Sequence, residues 1–208
     1  MSFRKELKSV LVKSKYNILL SWIFKNNGKV LYPPRIINSV YFDNANSDMY
    51  FQSIEGTLPR KKIRLRIYDR TNFIGNFFKN ANLEYKISSV EGRFKIVKKK
   101  NSNSQKLYID DSSYGKCYPK INILYERSYF IIKNFRLTID RDINYRKVIL
   151  NRINPHIIKD KLNVVEIKYS NLNLDTQIFD TFPFQFNRFS KYCRGVEFIN
   201  KKICDEII

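Results

Sequence analysis

The chain has 208 residues and a mass of 25.0 kDa, which is enough to build one domain with a sizeable core. Its 43% hydrophobic content excludes a wholly disordered chain. Lys and Arg number 39 against 19 acids, a formal charge of +20, so we expect a polyanionic partner: nucleic acid, nucleotide, polyphosphate or an anionic membrane.

The N-terminal third contains one strong helix signal, over residues 14–28. Ser14 is placed to cap this helix and Gly28 to end it. Between them, apolar residues recur at helical spacing and predict a buried stripe. The stripe consists of Ile18, Leu19, Trp22 and Ile23. A weaker helix signal lies near residues 173–182, before Pro183.

Most other segments alternate between polar and apolar residues, which predicts strands. They are residues 39–43, 60–69, 83–87, 93–97, 123–130, 134–140 and 164–169. The fifth and sixth read as a hairpin around Lys133 and Asn134. Residues 98–106 break the alternation and read as a mobile loop. No repeat or linker interrupts the pattern, so we predict a single domain over residues 1–208.

The segment RKKIRLRIYD, residues 60–69, is the most unusual of these strands. Side chains of a strand alternate between its faces, so Ile63, Leu65 and Ile67 share one face. The other face carries cations with no acid among them, at Arg60, Lys62, Arg64 and Arg66. Like charges on one face are unfavourable, which predicts an anion bound against it.

Two architectures explain the recurring pattern of one apolar and one charged face. In the first, a sheet packs its apolar face on helices and leaves the charged face in water. In the second, the sheet curls into a barrel and the charged faces line its lumen. A barrel of about eight strands can enclose a small ligand. Alternation by itself favours the first, because half-wet antiparallel sheets are common.

The cysteines and the N-terminus bear on location. Cys117, Cys193 and Cys204 are far apart, no CxxC occurs, and His156 is the one histidine, so a structural zinc site is not expected. Sparse cysteines fit a reducing compartment. The N-terminus has no signal-peptide core, and the most apolar run, YNILLSWIF, is too short to span a bilayer. We therefore predict a cytoplasmic protein without a membrane span.

Eight segments in order resemble the VTC domain, the polyphosphate polymerase branch of the triphosphate tunnel metalloenzymes, which include the CYTH enzymes. They are RKELK (4–8), SVYFD (39–43), RKKIRLRIYD (60–69), LEYK (83–86), YERSYF (125–130), FRLTID (135–140), VVEIKY (164–169) and RFSKYCRG (188–195). The resemblance spans roughly residues 3–198. It implies an α+β fold in which an antiparallel, eight-stranded, closed β-tunnel with flanking helices holds a triphosphate and a divalent metal.

The resemblance also implies roles for individual residues. Side chains acting on the phosphates would be Lys8, Arg64, Arg66, Lys86, Arg127, Arg136 and Lys191. Additional substrate-binding residues would be Arg93, Lys95 and Arg188, the first two on a strand that matches loosely. Glu166 would bind Mn²⁺ or Mg²⁺, with Glu6 assisting. Three simpler roles stay open: Glu166 paired only with an arginine of the lumen, Lys191 as a solvated surface side chain, and Arg64 with Arg66 as an RNA-binding face.

One departure from the family pattern affects the expected activity. The hydrolases of the superfamily begin with ExExK, whereas this chain has Arg4 at the first glutamate and keeps only Glu6. This favours the polymerase branch, in which the γ-phosphate of ATP or another nucleoside triphosphate is transferred to polyphosphate. Inorganic triphosphatase activity and non-catalytic binding of polyphosphate or RNA are the alternatives. The implied partners are a nucleoside triphosphate and polyphosphate, with no specific nucleic acid.

Overall fold

A computed structural model of the protein describes residues 4–99, 107–170 and 177–205. The chain divides into two compact units, each built from three separate segments. Unit 1 contains residues 1–36, 125–143 and 159–189, and unit 2 contains residues 37–124, 144–158 and 190–208. Most of the predicted loop, residues 100–106, lies outside the described residues, and so do residues 173–176 of the weaker helix signal. The single domain over residues 1–208 stays a prediction.

The fold is an antiparallel sheet with a few helices. The helices are α1 (Tyr16–Lys25), α2 (Asp48–Glu55), α3 (Ile74–Asn80), α4 (Gln177–Asp180) and α5 (Lys191–Asp205), with a 3₁₀ turn at Lys13–Lys15. The strands are β1 (Arg4–Val12), β2 (Lys29–Asp43), β3 (Arg60–Ile67), β4 (Asn82–Ser88), β5 (Arg93–Lys99), β6 (Ile109–Asp111), β7 (Gly115–Ile132), β8 (Phe135–Ile149), β9 (Arg152–Ile153), β10 (Ile158–Lys159) and β11 (Leu162–Ser170). The predicted hairpin is confirmed as β7 and β8, which meet at Lys133 and Asn134.

The sheet differs from the predicted closed tunnel of eight strands in its number of strands and in its closure. The described residues form a sheet of 11 strands with the main order β1-β11-β8-β7-β2-β3-β4-β5, and β6, β9 and β10 pair beside it. The first and last strands of that order, β1 and β5, do not pair with each other in the described part of the chain. Strands β2, β7 and β8 are far longer than the segments predicted for them, and in β2 the added N-terminal part is mostly exposed and so carries no apolar signal.

Unit 1 buries the apolar faces of β1, β8 and β11 beneath α1. The register pairs Leu7 with Ile167 and Ile167 with Leu137, so these side chains share one face. Leu19, Trp22 and Ile23 of α1 pack in the same core. Ile18, predicted to belong to that stripe, is instead 51% exposed, because it lies on the side of α1 that faces away from the strands. Ser14 forms part of the 3₁₀ turn and does not cap α1.

Unit 2 buries the apolar face of β3, as the alternation predicts. Ile63 and Leu65 are fully buried, and Phe77 of α3 packs in the same core. The neighbouring strand β2 contributes Phe42, whose ring meets Phe78 edge to face with centroids 5.9 Å apart, a favourable arrangement for an aromatic pair. This core orients β3 so that its even-numbered residues lie on the opposite, polar face.

Within the described residues, no helix has both the length and the apolar character needed to cross a membrane.

Candidate phosphate-binding faces

The polar face of unit 2 gathers basic residues from three adjacent strands. The register pairs Arg64 of β3 with Glu84 of β4, and Lys62 with Lys86. Antiparallel partners point to the same side of a sheet, so this polar face is continuous across β3, β4 and β5. We call it the cationic face, and its basic members are Arg60, Lys62, Arg64, Arg66, Lys86, Arg93 and Lys95.

Three lysines lie abreast on the cationic face. Lys62, Lys86 and Lys95 occupy one line across β3, β4 and β5, because Lys86 is the register partner of both others. Lys62 donates a hydrogen bond to the Ser190 hydroxyl at 2.9 Å, and Lys95 contacts Glu84 at 2.6 Å. Cations placed directly opposite one another destabilise a sheet. This line is therefore better suited to holding an anion than to stabilising the fold.

Glu84 is the acid at the centre of the cationic face. Arg64 Nε donates to Glu84 Oε2 at 2.7 Å, and an Arg66 nitrogen lies 3.7 Å from the same oxygen. Burial alone would raise the pKa of Glu84, but the charges of Arg64 and Arg66 and the hydrogen bond from Lys95 outweigh it and lower the pKa to about 2. Glu84 thus stays ionised and holds both guanidinium groups in place.

Replacement of Glu84 is expected to destabilise the fold. A carboxyl group whose pKa falls on folding stabilises the folded state above its unfolded pKa of 4.5, and this contribution disappears as the pH falls towards about 2. The shift corresponds to about 3 kcal/mol near neutral pH. Glu84→Gln should lower the urea unfolding free energy by that order. The control is Glu126→Gln, which removes the partly exposed ion pair with Arg141. An equal loss at neutral pH and at about pH 2 would contradict the assignment.

Tyr41 adds a titratable hydroxyl to the cationic face. Its oxygen accepts a hydrogen bond from Arg64 Nη1 at 2.7 Å, and Ser39 on the same strand accepts one from Arg66 at 3.2 Å. Burial alone would raise the pKa of Tyr41, but the charges of Arg64 and Arg66 outweigh it and lower the pKa from 10.0 to about 8. The phenol therefore reports the electrostatic potential of this face.

An absorbance titration should detect this tyrosine directly. We expect one phenol to ionise near pH 8 in the wild-type protein and this step to vanish in Tyr41→Phe. Because the group's pKa is lowered on folding, stability should rise with pH between about 8 and 10. Tripolyphosphate bound to Arg64 would weaken the cationic field and move the step to higher pH. A step unchanged by saturating tripolyphosphate would contradict binding at Arg64.

The N-terminus of α5 lies beside the cationic face. Ser190 caps this helix by accepting a hydrogen bond from the Cys193 amide, and the same hydroxyl contacts Lys62. The next residue, Lys191, contributes to the lowered pKa of Tyr41, so its charge acts on this face. Tyr192 stacks on Tyr41 with ring centroids 5.3 Å apart and donates a hydrogen bond to buried Asp43 at 2.5 Å. These contacts fix Lys191 and Ser190 relative to β2 and β3.

The polar face of unit 1 is mixed in charge. Its register pairs Glu6 with Lys168 and Lys8 with Glu166 across β1 and β11. Lys168 Nζ lies 2.7 Å from Glu166 Oε1 and 3.9 Å from Glu6 Oε2, so one ammonium group bridges both carboxylates. Lys8 contacts Glu6 at 3.1 Å. We call this the mixed-charge face, and it continues onto β8 at Arg136, Thr138 and Asp140.

The two predicted metal ligands are therefore neighbours. Across the described residues, three or more His, Cys, Asp or Glu side chains do not cluster as an all-protein metal site would require. Mg²⁺ and Mn²⁺ commonly use only one or two carboxylates and take their remaining ligands from water and substrate phosphates. Glu6 and Glu166, both less than 10% exposed at the side chain, fit that mode. Glu166 also forms an ion pair, and its partner is Lys168 rather than the arginine of the simpler role.

The remaining predicted residues of unit 1 differ in exposure. Arg127 forms two parallel hydrogen bonds to the buried carboxylate of Asp140, at 2.5 and 2.7 Å. Burial alone would lower the pKa of Arg127, but Asp140 raises it well above its ordinary value. Arg136 is exposed. Thr138 lies between Glu166 and the hairpin partner strand, and its buried hydroxyl has no hydrogen-bond partner in the described residues.

Arg188 lies in an extended segment that runs along β1. The Asn187 amide donates to the Lys8 carbonyl at 2.7 Å, and Lys8 Nζ donates to the Phe189 carbonyl at 3.2 Å. Ser9 secures the same segment through the Gln185 carbonyl. Arg188 is exposed, next to the predicted phosphate ligand Lys8 in unit 1. Of the predicted residues, unit 1 thus contains Glu6, Lys8, Arg127, Arg136, Glu166 and Arg188, and unit 2 contains Arg64, Arg66, Lys86, Arg93, Lys95 and Lys191.

Comparison with protein families decides the membership of this chain. The VTC domain matches residues 3–200, nearly the whole sequence. The chain belongs to the VTC domain family. The resemblance drawn from the eight ordered segments is thereby confirmed. No curated protein sequence is significantly similar to this VTC domain.

Solved structures share the fold at low sequence identity. A proposed adenylate cyclase from Bacillus halodurans superposes with a TM-score of 0.57 at 12% identity, over 92% of this chain and 94% of that chain. One from Vibrio parahaemolyticus gives 0.53 at 13% identity, over 92% and 96%. A proposed adenylyl cyclase from Hippeastrum, described as having a dominant triphosphatase activity, gives 0.51 at 12% identity, over 95% and 96%. At these identities the similarity shows the fold alone.

Three residues of this VTC domain that the sequence reasoning did not select take part in the two faces. Glu84 positions Arg64 and Arg66, Asp140 positions Arg127, and Tyr41 contacts Arg64. Glu84 stands two residues before Lys86 in the LEYK segment, on the same side of the strand, so period-two alternation was the signal for it. Asp140 could have been found in the same way, because it stands four residues after Arg136 and therefore on the same side of its strand.

Proposed function

We propose that the protein is a phosphotransferase that moves the γ-phosphate of a nucleoside triphosphate, ATP in the simplest case, onto the end of a polyphosphate chain. The observation that carries this proposal is the line of Lys62, Lys86 and Lys95 beside Arg64 and Arg66 on a VTC domain. Three lysines in register beside two arginines, with Glu84 as the acid among them, favour the binding of an anion of high charge density. A chain of phosphates supplies one negative charge or more at each unit, in a geometry that guanidinium forks can match.

The reaction needs positioning and charge neutralisation more than covalent help. A terminal oxygen of the acceptor chain forms a new bond to the γ-phosphorus, and the bond from that phosphorus to the β–γ bridging oxygen breaks. The nucleoside diphosphate leaves with that oxygen, and the chain grows by one phosphate. Charge spreads over the equatorial oxygens of the transferred group, where fixed donors stabilise it.

The cationic face would bind phosphates of the substrate. Arg64 is fixed by Glu84 and Tyr41 and Arg66 by Ser39, so both guanidinium groups are held on this face, where they would donate to phosphate oxygens of the substrate. Lys86 and Lys191 would add point charges. Lys95 and Arg93 would contact the outer part of the chain.

The mixed-charge face would bind the metal and orient phosphate oxygens. Glu6 and Glu166 would hold Mn²⁺ or Mg²⁺. The metal would take the place of the Lys168 ammonium group, which now contacts both carboxylates. A divalent metal held there would supply positive charge that offsets the negative charge of the phosphates during transfer. Lys8, Arg127, Arg136 and Arg188 would orient phosphates, and Asp140 fixes the guanidinium plane of Arg127.

Transfer to water is the second candidate, because the structurally similar Hippeastrum protein is described as a triphosphatase. The missing first glutamate, replaced by Arg4, argues for the polymerase over that hydrolase. A cytoplasmic location, where ATP is abundant, belongs to the same proposal, and sparse cysteines support it.

Product analysis tests the proposal. Purified protein would be incubated with ATP and Mn²⁺ or Mg²⁺, and the products separated on gels stained for polyphosphate. Chains that lengthen as ATP is consumed support the polymerase. Free phosphate without chains assigns the triphosphatase, and intact ATP under all metals leaves only a binding module.

A further inference from the structure

Two exposed arginines and two tyrosines form a cluster at one end of the mixed-charge face. Tyr32 and Tyr129 meet edge to face with ring centroids 5.8 Å apart. The guanidinium carbon of Arg35 lies 5.8 Å from the Tyr32 centroid and 6.0 Å from that of Tyr129. The corresponding distances for Arg136 are 6.0 and 5.5 Å. All four residues belong to unit 1.

The cluster brings two positive charges together without neutralising them. Neither Arg35 nor Arg136 forms an ion pair with a carboxylate in the described ranges of the chain. Each is held instead against the same two rings, which attract a cation through their π faces and leave the in-plane N–H groups of the guanidinium available. Arg141 differs from these two arginines in being paired with an acid. Its guanidinium carbon lies 4.8 Å from the centroid of the Tyr16 ring, and the same group contacts Glu126.

The cluster is also continuous with residues already placed on the mixed-charge face. Arg136 is the register partner of Lys168, whose ammonium group bridges Glu6 and Glu166. An anion chain that reaches Glu166 through a metal would therefore meet Arg136 next and Arg35 after it. Tyr129 is only 6% exposed, so its ring is held in place by the surrounding side chains. Tyr32 is 45% exposed and forms the solvent-facing side of the cluster.

We propose that Arg35 and Arg136, braced by Tyr32 and Tyr129, form an outer subsite for phosphate groups of a long polyphosphate chain. This inference rests on the proposed function. Arg35 is thereby added to the substrate-binding residues. The subsite would let the protein bind long polyphosphate chains more tightly than triphosphate. The rings support the guanidinium groups, and the guanidinium groups bind the anion.

The test compares the affinity of variants for short and long anions without turnover, in the presence of a chelator. Arg35→Gln should weaken binding of chains of several tens of phosphates by about tenfold, the loss of one charge-assisted contact, and leave tripolyphosphate binding unchanged. Tyr32→Leu keeps both charges, removes one support and should give a smaller loss. Arg141→Gln removes an arginine that also lies against a tyrosine but is paired with an acid, and should change neither affinity.

The outcomes separate this inference from the proposed function. Equal binding of long chains by Arg35→Gln and wild type would overturn the subsite, whether or not ATP is converted. A loss seen with ATP but not with tripolyphosphate would assign the rings to the nucleobase and overturn it too. Failure of the wild type to elongate polyphosphate with ATP, while Arg35→Gln still selectively loses long chains, would refute the polymerase and leave the subsite standing.

Discussion

Replacing Arg64 with glutamine is expected to lower the affinity of the protein for tripolyphosphate by about 10- to 100-fold. Hydrogen bonds to charged groups are worth about 1.5–3 kcal/mol, and every 1.4 kcal/mol corresponds to a factor of ten. Arg64 would offer a forked pair of such bonds, because Glu84 and Tyr41 fix the plane of its guanidinium. Isothermal titration calorimetry at fixed ionic strength would measure the change.

Two further variants show whether the loss comes from the fork or from charge in general. Arg64→Lys keeps the charge and loses the planar pair of donors, so it should recover only part of the affinity. Arg70→Gln removes an exposed arginine of unit 2 from outside the cationic face, with the same change in net charge. If Arg70→Gln weakens binding as much as Arg64→Gln does, the affinity reflects only the overall charge of +20 and the specific site is refuted.

Replacing Glu166 with glutamine is expected to reduce phosphate transfer by about 100-fold or more, because a metal that stabilises transition-state charge contributes several kcal/mol. With metal removed by a chelator, the affinity of this variant for tripolyphosphate should equal or exceed that of the wild type, because the substitution removes one negative charge from the mixed-charge face. Glu6 remains near Lys168, so that ammonium group keeps an acidic neighbour. Turnover at saturating ATP and several metal concentrations would give the change in kcat.

The matched control for Glu166 is Glu126→Gln, which removes an acid of the same unit that is paired with Arg141. Its turnover should equal that of the wild type. The competing role of Glu166, a structural ion pair with Lys168, makes a different prediction: a lower melting temperature with turnover retained. That pattern would remove Glu166 from the list of metal ligands.

The alternation of β3 shows what local sequence was able to determine. Ile63 and Leu65 are fully buried, and Arg64 lies on the opposite face, as period two requires. The face on which Lys8, Glu166 and Arg136 lie followed from the same periodicity once the strands were recognised by family resemblance. Which strands are neighbours did not follow, because pairing joins segments that are far apart in the chain.

Long-range contacts account for most of what the sequence did not reveal. Tyr192 donates to Asp43, 149 residues away, and this contact helps to place α5, a helix that the sequence reasoning did not identify. The charge-rich RFSKYCRG segment masked its helical period. Arg35 was overlooked for a similar reason, because its partners Tyr129 and Arg136 come from the distant β7–β8 hairpin. The predicted closure of eight strands was carried over from the family and is not observed in the 11 described strands.

A crystal structure of the protein with tripolyphosphate would show whether the cationic face holds the phosphates of the substrate. We expect phosphate oxygens within hydrogen-bonding distance, about 3 Å, of both Arg64 and Arg66. Phosphates bound elsewhere, with Arg64 and Arg66 making no contact to a phosphate oxygen, would contradict it.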